Sequence, residues 1–395
     1  MPCESLAQSL LLPQLRLLRV HYPKHTGKIE LHMEKTSEAE VCPKCARLSH
    51  IVYDRRWICL RDAPLRAKRV MMHVHKRRFY CRTCNKPFTE PIAGVRKASR
   101  TTERYRKSLL WACETFSDLK SVYQTYRCSA GFLYKTLYAE LARKQRARQA
   151  PWPKVIGLDE HFFRHLRYSG AREFASLLID YKNRRAIEVV EGKSCAEMTS
   201  ALAYIPKREN VNLVVLDLCD PYKKFVSEFF PNAKIVADKF HVIRLLHPAI
   251  NRRRKEITGD RRNLPVRRLL LRNGFKLDQQ RRFLLRCWLK DHPQLQEVYL
   301  YKEAIHRLYR VRGYGRAKKV LTKLTDQMAD STLPEIKTLR RTLLAWRKQI
   351  LAYFHFRITN GRTEGFNNKA KLVKRRAYGY KSFQNYRLRL LNACA

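Results

Sequence analysis

The sequence predicts an α+β protein of several domains, and three observations support that prediction. A pair of C-x-x-C motifs lies near the N-terminus, short apolar segments alternate with helical ones in the middle, and the C-terminal part is long, basic and helical. The chain has 395 residues, 45% of them hydrophobic. That length is enough for two or three domains, each with its own core.

The charge of the chain is large and unevenly distributed. The formal net charge is +49, and it divides into +19 for residues 1–149, +1 for residues 150–238 and +29 for residues 239–395. A charge of this size predicts a polyanionic partner, and double-stranded DNA is the usual one. The nearly neutral middle block, with its acids concentrated, suits a metal-binding centre between two segments that bind phosphate.

Composition also indicates the cellular compartment in which the protein is expected. No segment approaches the roughly 18 apolar residues needed to cross a membrane, and the leucine-rich residues 6–18 lack the features of a signal peptide. Of the twelve cysteines, eight are scattered singly, which favours a reducing compartment with one metal site over a disulfide framework. We expect a cytoplasmic, nucleoid-associated protein. No glycine-rich phosphate loop is present, so no nucleotide cofactor is expected.

The first element, residues 1–95, is predicted to be a zinc ribbon that binds DNA. Two C-x-x-C pairs are separated by 35 residues, and each pair lets one tight turn offer two sulfurs to a tetrahedral Zn²⁺. The four ligands are Cys42, Cys45, Cys81 and Cys84. The alternation of residues 70–75 predicts a half-buried strand before the second pair. Residues 57–68 must then form a loop or an extra strand, and His73 and His75 are alternative ligands.

Residues 96–150 are predicted to form a helix-turn-helix and a linker. A first helix, with Ser117 as its cap, precedes a small-residue turn at residues 127–131, and a second helix carries Leu133, Leu137 and Leu141. Such a pair of helices can read DNA, although any helical hairpin shows the same pattern. The prolines at 151 and 153 mark a domain boundary.

Residues 151–241 change to a pattern of strands. The order is three strands, helix, strand, helix, strand, which is the element order of an RNase H-like α/β domain. The strands are predicted at residues 155–159, 174–181, 185–191, 212–218 and 233–240, and the helices at residues 194–205 and 221–230. The segment after Glu160, residues 161–165, is expected to be a turn, and Ser194 is expected to cap the first helix.

Two acids stand at the ends of strands that this topology makes neighbours. Asp159 ends the first strand and Asp217 the fourth, about 4.8 Å apart in a sheet. Carboxylates that close repel each other unless a cation lies between them, so the pair predicts Mg²⁺ or Mn²⁺. Asp238, which ends the fifth strand, is a poorer candidate, and Asp220 is interpreted as a helix cap.

A third carboxylate is expected from a helix in the tail. Glu364, Asn368, Lys371 and Arg375 fall at intervals that place them on one helical face. Glu364 is the only acid after Glu335. The face offers a metal ligand, an amide and two cations, which suits a phosphate track. The alternative is a solvated basic helix with one incidental acid.

At this point the sequence resembles a known family, the bacterial insertion-sequence transposases of the ISL3 family. The similarity covers residues 40–395 and rests on the two C-x-x-C pairs, VIGLDE at residues 155–160, VADKFHV at residues 236–242 and NGRTEGFNNKAKLVKRRAYGY at residues 360–380. It implies a DDE catalytic domain with Asp159, Asp217 and Glu364 as the catalytic acids. It also implies that residues 242–356 are an all-α insertion and residues 357–395 the C-terminal catalytic helices.

The resemblance further implies a supporting pair. In related transposases an Asp- or Cys-x-x-His pair follows the second Asp, and Asp238 and His241 match it here. Asp238 itself stays open as an alternative to Asp217 for the second catalytic acid. Tyr378 and Tyr380 are interpreted as packing or base-stacking residues, because the chain lacks the residues of a tyrosine recombinase.

The predicted function is therefore a DDE transposase. It would bind the ends of its element and perform Mg²⁺-dependent cleavage and strand transfer by two-metal phosphoryl transfer, as a dimer or larger assembly that joins two ends. The alternatives are a non-catalytic DNA-binding regulator or domesticated derivative, and a nuclease acting on RNA–DNA hybrids.

Overall fold

The structure is a computed structural model that describes residues 14–165, 172–259 and 265–395. The chain divides into two compact units, Met1–Ala142 and Arg143–Ala395. Residues 6–13 of the leucine-rich N-terminal stretch lie outside the described residues. No helix in the described part of the chain is long and apolar enough to cross a membrane.

The first unit is built on a five-stranded sheet. Its main path runs β1-β2-β6-β5, with β7 paired to β6, and β3 and β4 form a separate two-stranded sheet. The strands are β1 Leu15–His21, β2 Lys28–Lys35, β3 Glu40–Val41, β4 Leu48–Ser49, β5 Val52–Leu65, β6 Lys68–Cys81 and β7 Lys86–Thr89. The segment between the two C-x-x-C pairs is thus mostly a long β5–β6 hairpin. Val70, Met72 and Val74 are buried along β6, which confirms the predicted half-buried strand.

Three helices follow in sequence: α1 Glu103–Thr115, α2 Leu119–Thr125 and α3 Ala130–Ala147. The prediction that Ser117 caps α2 is wrong. Asp118 is the cap, because it directly precedes the first helical residue and its carboxylate accepts the backbone N–H of Ser121 at 2.8 Å. The Ser117 hydroxyl instead donates to Asp118. Leu133, Leu137 and Leu141 are buried along α3, as their spacing predicts.

The second unit contains a five-stranded sheet of order β10-β9-β8-β11-β12. β8, β9 and β10 are antiparallel, and β11 is parallel to both β8 and β12. The elements are β8 Val155–His165, β9 Arg172–Asp180, β10 Arg185–Glu191, α4 Cys195–Leu202, β11 Leu213–Leu216, α5 Asp220–Phe229 and β12 Lys234–Ala237. The predicted succession of three strands, helix, strand, helix and strand is confirmed, as is the Ser194 cap of α4.

Three local predictions in this unit are wrong. β8 continues to His165 instead of turning after Glu160, since His161 and Phe163 alternate inward and are buried. β12 ends at Ala237, because Asp238 caps the next helix through the N–H groups of Phe240 and His241. Asp220 is the first residue of α5 and not its cap, a position that Cys219 occupies.

Helices cover both faces of this sheet. One face shares a hydrophobic core with α4, α5 and the long helical segment, through residues such as Val214, Phe225 and Ile305. That segment comprises α6 Lys239–Arg244, α7 His247–Thr258, α8 Pro265–Leu271, α9 Gln279–Lys290, α10 Pro293–Leu308, α11 Tyr314–Gln327, α12 Pro334–Ala345 and α13 Arg347–Phe356.

The last two helices, α14 Gly361–Arg376 and α15 Phe383–Ala393, form the layer on the opposite face. Phe366 of α14 and Tyr386 of α15 pack in one core with Leu177 of β9 and Val189 of β10. The two helices that follow residues 242–356 therefore pack against the sheet formed by the strands that precede that segment. This arrangement decides which side chains reach Asp159, which lies in the middle of β8 and not at its end as predicted, and Asp217, which directly follows β11.

Candidate active site

Asp159 and Asp217 come together at the centre of the sheet. Leu158 of β8 is paired with Leu216 of β11 in parallel register, so the two following residues are neighbours. Both aspartates are buried. Burial, followed by the charge of Asp217 and a hydrogen bond to it, raises the pKa of Asp159 to about 8. Two negative charges on this buried pair would repel each other strongly, and a bound cation would offset that repulsion.

Asp238 and His241 lie beside Asp217. The Nδ1 atom of His241 is 2.7 Å from Oδ1 of Asp217 and 3.2 Å from Oδ2 of Asp238. Burial alone would lower the pKa of His241, but the hydrogen bonds to Asp217 and Asp238 outweigh it and raise the pKa to about 10. Among the described residues, ligand atoms of these three side chains lie within 4.8 Å of one another.

Backbone donors already surround Asp238. Its carboxylate accepts the N–H of Asn360 at 2.8 Å and the N–H of Phe240 at 3.1 Å. It therefore joins the start of α6 to the segment that leads into α14. Asp238 follows β12, and β11 separates that strand from the β8 strand of Asp159. The side chain that faces Asp159 directly is Asp217.

The start of α14 approaches both aspartates with amide side chains. Nδ2 of Asn360 donates to the Leu158 carbonyl at 3.2 Å and lies 3.4 Å from Oδ1 of Asp217. Nδ2 of Asn367 donates to Oδ2 of Asp159 at 2.7 Å. Helical spacing puts Glu364 on the same side of α14 as Asn367, one turn before it.

Glu364 is exposed in the first turn of α14. Among the described residues, the carboxylates of Asp159, Asp217 and Glu364 do not all lie within 4.8 Å of one another. The structure thus brings the two aspartates together and leaves Glu364 exposed on α14, one helical turn before the Asn367 that contacts Asp159. Asn368, Lys371 and Arg375 are exposed further along the same helix.

A second candidate metal site lies in the first unit. The sulfurs of Cys42, Cys45, Cys81 and Cys84 lie within 4.8 Å of one another. The Sγ separations are 4.0 Å for Cys42–Cys84 and 3.5 Å for Cys45–Cys81. Tetrahedral Zn²⁺ with Zn–S bonds of about 2.3 Å requires sulfurs about 3.8 Å apart, so the four thiols fit a zinc ion.

The two C-x-x-C turns share one backbone geometry. The residue after the second cysteine of each pair has a left-handed backbone, with φ of 58° at Ala46 and 50° at Asn85. Backbone N–H groups of Cys45 and then Lys44 point at the Cys42 sulfur and lower the pKa of that thiol to about 7. His73 and His75, the alternative ligands, instead stack on His32 and Trp57 at centroid distances of 4.9 and 4.7 Å.

Comparisons with known proteins give matches over the segments that contain both candidate sites. Residues 156–390 match the family model of ISL3 DDE transposases, described as "Transposase", and residues 38–84 match the "zinc-finger of transposase IS204/IS1001/IS1096/IS1165". The first match alone spans more than half of the chain. The chain belongs to the ISL3 family of insertion-sequence transposases. The family predicted from the sequence is thereby confirmed.

Curated relatives agree with this assignment. The transposase for insertion sequence element IS1001 of Bordetella parapertussis is 26% identical over 387 residues, covering 94% of this chain and 93% of that protein. The transposase for insertion sequence element IS1557 of Mycobacterium tuberculosis is 23% identical over 261 residues, covering 58% of this chain and 57% of that protein. A shorter match to a Lactococcus lactis protein described as an ATP-dependent protease is 33% identical and covers 26% of this chain.

The candidate site contains two asparagines that the sequence did not predict. Asn360 and Asn367 contact the aspartates, whereas the predicted Asn368 is exposed. The signal that could have found them is their spacing, one helical turn on either side of Glu364.

Gly157 explains how α14 reaches the sheet of the transposase. A Cβ atom at this position would lie 2.7 Å from Oγ1 of Thr363 and 2.8 Å from Cγ1 of Ile179. Thr363 is buried in the first turn of α14, and its hydroxyl donates to Oδ1 of Asn360. The missing side chain at Gly157 therefore permits the close contact that positions Asn360 against Asp217.

Proposed function

We propose that this transposase cuts DNA at the ends of its insertion sequence and joins those ends to a target. Asp159, Asp217 and Glu364 would hold the divalent cations of the reaction. The observation that carries the proposal is the buried Asp159–Asp217 pair, with a raised pKa at Asp159, beneath the helix face that bears Glu364. Buried carboxylates in contact are costly to keep unless they bind something positive.

The sheet supports the same function. We infer an RNase H-like catalytic domain from the order β10-β9-β8-β11-β12, with three antiparallel strands followed by parallel ones. In this arrangement the acids of β8 and β11 lie at the centre of the sheet. The helical segment 242–356, inserted between β12 and α14, would then be part of that domain's core and not an independent module, because it shares one hydrophobic cluster with the sheet.

The residues present fit Mg²⁺ or Mn²⁺, which favour carboxylate oxygens. When bound, two such ions activate the attacking oxygen and stabilise the leaving oxygen of a phosphodiester. Asp217 is preferred to Asp238 as the second catalytic acid, since it faces Asp159 whereas Asp238 accepts backbone N–H groups on α6 and before α14. His241 would position Asp217 through its 2.7 Å contact.

The exposed cations of α14 would bind the DNA backbone near the cut. Lys371 and Arg375 follow Glu364 along one helix face and are exposed. Their charges would neutralise phosphates on either side of the scissile bond.

The first unit is proposed to recognise the element ends. The zinc ribbon and the α2–α3 pair would provide the contacts, with Tyr134 and Lys135 exposed near the start of α3. This is the position from which a recognition helix reaches bases in the major groove. Joining two ends requires at least a dimer on DNA.

The test is a cleavage and strand-transfer assay on element-end DNA with Mg²⁺. Asp159→Asn and Glu364→Gln are each expected to reduce cleavage by more than about 100-fold, the scale of losing one group that stabilises a transition state, while end binding is unchanged. Glu228→Gln, at an exposed acid of α5, is the matched control and should cleave normally. Normal cleavage by Glu364→Gln would remove that residue from the site.

A further inference from the structure

The turn after α14 holds an aromatic side chain almost entirely in solvent. Tyr378 is 92% exposed, whereas the next most exposed large hydrophobic side chain in the described part of the chain, Phe283, is 64% exposed. Tyr380, two residues later, is packed: its ring lies 5.4 Å from that of the buried Tyr386 on α15. Packing therefore explains Tyr380 and leaves Tyr378 without a structural role.

The backbone presents Tyr378 at an energetic cost. Its φ is 52°, in the left-handed region that side chains other than glycine, asparagine and aspartate rarely adopt. The helix C-terminus fixes it there, with the N–H of Tyr378 on the Arg375 carbonyl at 3.1 Å and the N–H of Gly379 on the Lys374 carbonyl at 3.2 Å. Glycine would suit this position better. A residue kept in such a conformation while its ring is exposed suggests a functional reason.

The direction in which α14 runs points to a ligand. Glu364, Lys371 and Arg375 are exposed on one face of this helix, and Tyr378, fourteen residues after Glu364, lies in the turn that follows its last residue. We call these four residues the stripe. At 1.5 Å per residue the stripe is about 21 Å long. That length corresponds to about six base pairs of duplex at 3.4 Å each.

The chemistry of the stripe fits duplex DNA better than a protein partner. It begins with the acid proposed to bind metal, continues with two cations suited to phosphates, and ends with an exposed ring that Arg375, Arg376 and Lys381 flank in the sequence. Aromatic rings stack on bases of any sequence, because every base has a π face. Apolar side chains that enter a duplex do so where base pairs are partly unstacked.

We propose that Tyr378 stacks on an unstacked base of the element-end DNA, about six base pairs from the scissile phosphate. This inference rests on the proposed function, since it uses Glu364 to fix the position of the cut. Stacking at this point would hold the duplex along α14 and thereby set its register over Asp159 and Asp217.

The experiment uses the full-length protein and element-end duplexes that carry 2-aminopurine at successive positions, since the fluorescence of this base rises when it is unstacked and falls again when it stacks on another ring. The wild type is expected to change the signal at one position about six base pairs from the cut. Tyr378→Ala should lose that change, weaken end binding by about 5- to 150-fold and slow cleavage. Tyr378→Trp should retain all three properties. Phe283→Ala, at an exposed ring of α9, is the control for loss of an aromatic surface.

Tyr378→Gly separates stacking from backbone strain. Glycine relieves the left-handed conformation, so this variant should unfold at a higher temperature and still bind and cleave as poorly as Tyr378→Ala. A structural role for Tyr378 predicts the opposite, namely that the more stable glycine variant is at least as active as the wild type, and that result would overturn the proposal. A Tyr378→Ala protein with the wild-type 2-aminopurine pattern would overturn it too, as would an effect confined to self-association.

The failure of this proposal can be told apart from failure of the proposed function. The 2-aminopurine signal reports on bound DNA and needs no cleavage. Asp159→Asn should therefore keep the signal while it loses cleavage. If Asp159→Asn cleaves normally, the catalytic assignment is wrong whatever Tyr378 does.

Discussion

The two candidate metal sites of this transposase are assembled in opposite ways. The zinc ligands come as two pairs, and each pair lies on a single tight turn with the same backbone geometry. The proposed acidic site would take one residue from β8, one from directly after β11 and one from α14, with 57 residues between Asp159 and Asp217 and 146 between Asp217 and Glu364. The geometry of the first site is local, and the geometry of the second depends on how the whole unit packs.

The surrounding cores differ in the same sense. The core of the ribbon sheet is a small cluster around Met33, Met72 and Val74. The acidic site stands between two larger clusters that cover both faces of its sheet. A small sheet with a small core usually depends on its metal to fold. We therefore expect the ribbon to unfold when its zinc is removed. We expect the second unit to stay folded without a divalent cation, although the repulsion between Asp159 and Asp217 then lowers its stability.

The largest expected effect is that of zinc removal. Structural zinc contributes about 10–16 kcal/mol in small domains at neutral pH, far more than the ribbon core can replace. Chelation, or Cys81→Ser, should therefore expose the backbone amides of residues 40–90 to hydrogen exchange and leave those of β8–β12 protected. Hydrogen exchange measured by mass spectrometry follows both regions in one sample.

The matched control is Cys59→Ser, at an exposed cysteine of β5 outside the cluster. It should retain both zinc content and protection. Equal loss of protection in residues 40–90 and in β8–β12 after chelation would contradict the contrast between a metal-dependent and a preformed site.

The same contrast explains what the sequence could predict. The zinc ligands follow from residue spacing alone, because each turn is a local structure. The Asp159–Asp217 pair follows from the element order, since that order makes β8 and β11 neighbours. Asn360 and Asn367 do not follow, because their role depends on which face of α14 meets the sheet. Helical periodicity predicts which residues of α14 share a face, but it does not predict which face packs against the sheet.

The misplaced ends of elements have a similar cause. The segment after Glu160 contains histidines and aromatic residues, which suggest a turn when considered alone. In the folded unit, His161 donates to or accepts from the Tyr386 hydroxyl and Phe163 packs on Phe383. These contacts come from a helix more than 200 residues later in the chain. Tertiary packing therefore extends β8 beyond what its local sequence indicates.

A second prediction concerns the strain at the acidic site and its dependence on pH. The pKa of Asp159 is raised from its ordinary 3.8 to about 8. Between about pH 4 and pH 8 the folded protein keeps a proton that the unfolded chain has lost, so the free energy of unfolding falls as pH rises across this window. About four pH units set an upper limit of roughly 6 kcal/mol, and the opposing effect of the neighbouring His241 cation is already part of this pKa.

Asp159→Asn removes this titration. Without added divalent cation, the variant should be more stable than the wild type at pH 8.5 and equally stable near pH 4, as measured by chemical denaturation of the second unit. Asp326→Asn, at an exposed aspartate of α11, is the control and should change stability little at either pH. A constant difference at both pH values would show that the carboxyl is not strained.

The smallest expected change in stability tests how closely α14 must approach the sheet. In Gly157→Ala the new methyl group would lie 2.7 Å from Oγ1 of Thr363 and 2.8 Å from Ile179, so one of them must move. Overpacking of this kind costs about 1–3 kcal/mol. Since Thr363 holds Asn360 against Asp217, a displacement of about 1 Å at this contact should also reduce cleavage by about 100-fold.

The control is Gly315→Ala, on α11, where a new methyl group would meet nothing within 4 Å. It should leave cleavage unchanged and raise the free energy of unfolding by up to about 1 kcal/mol. If both variants cleave like the wild type, the acidic site tolerates movement of α14 and is less dependent on packing than the comparison with the zinc site implies.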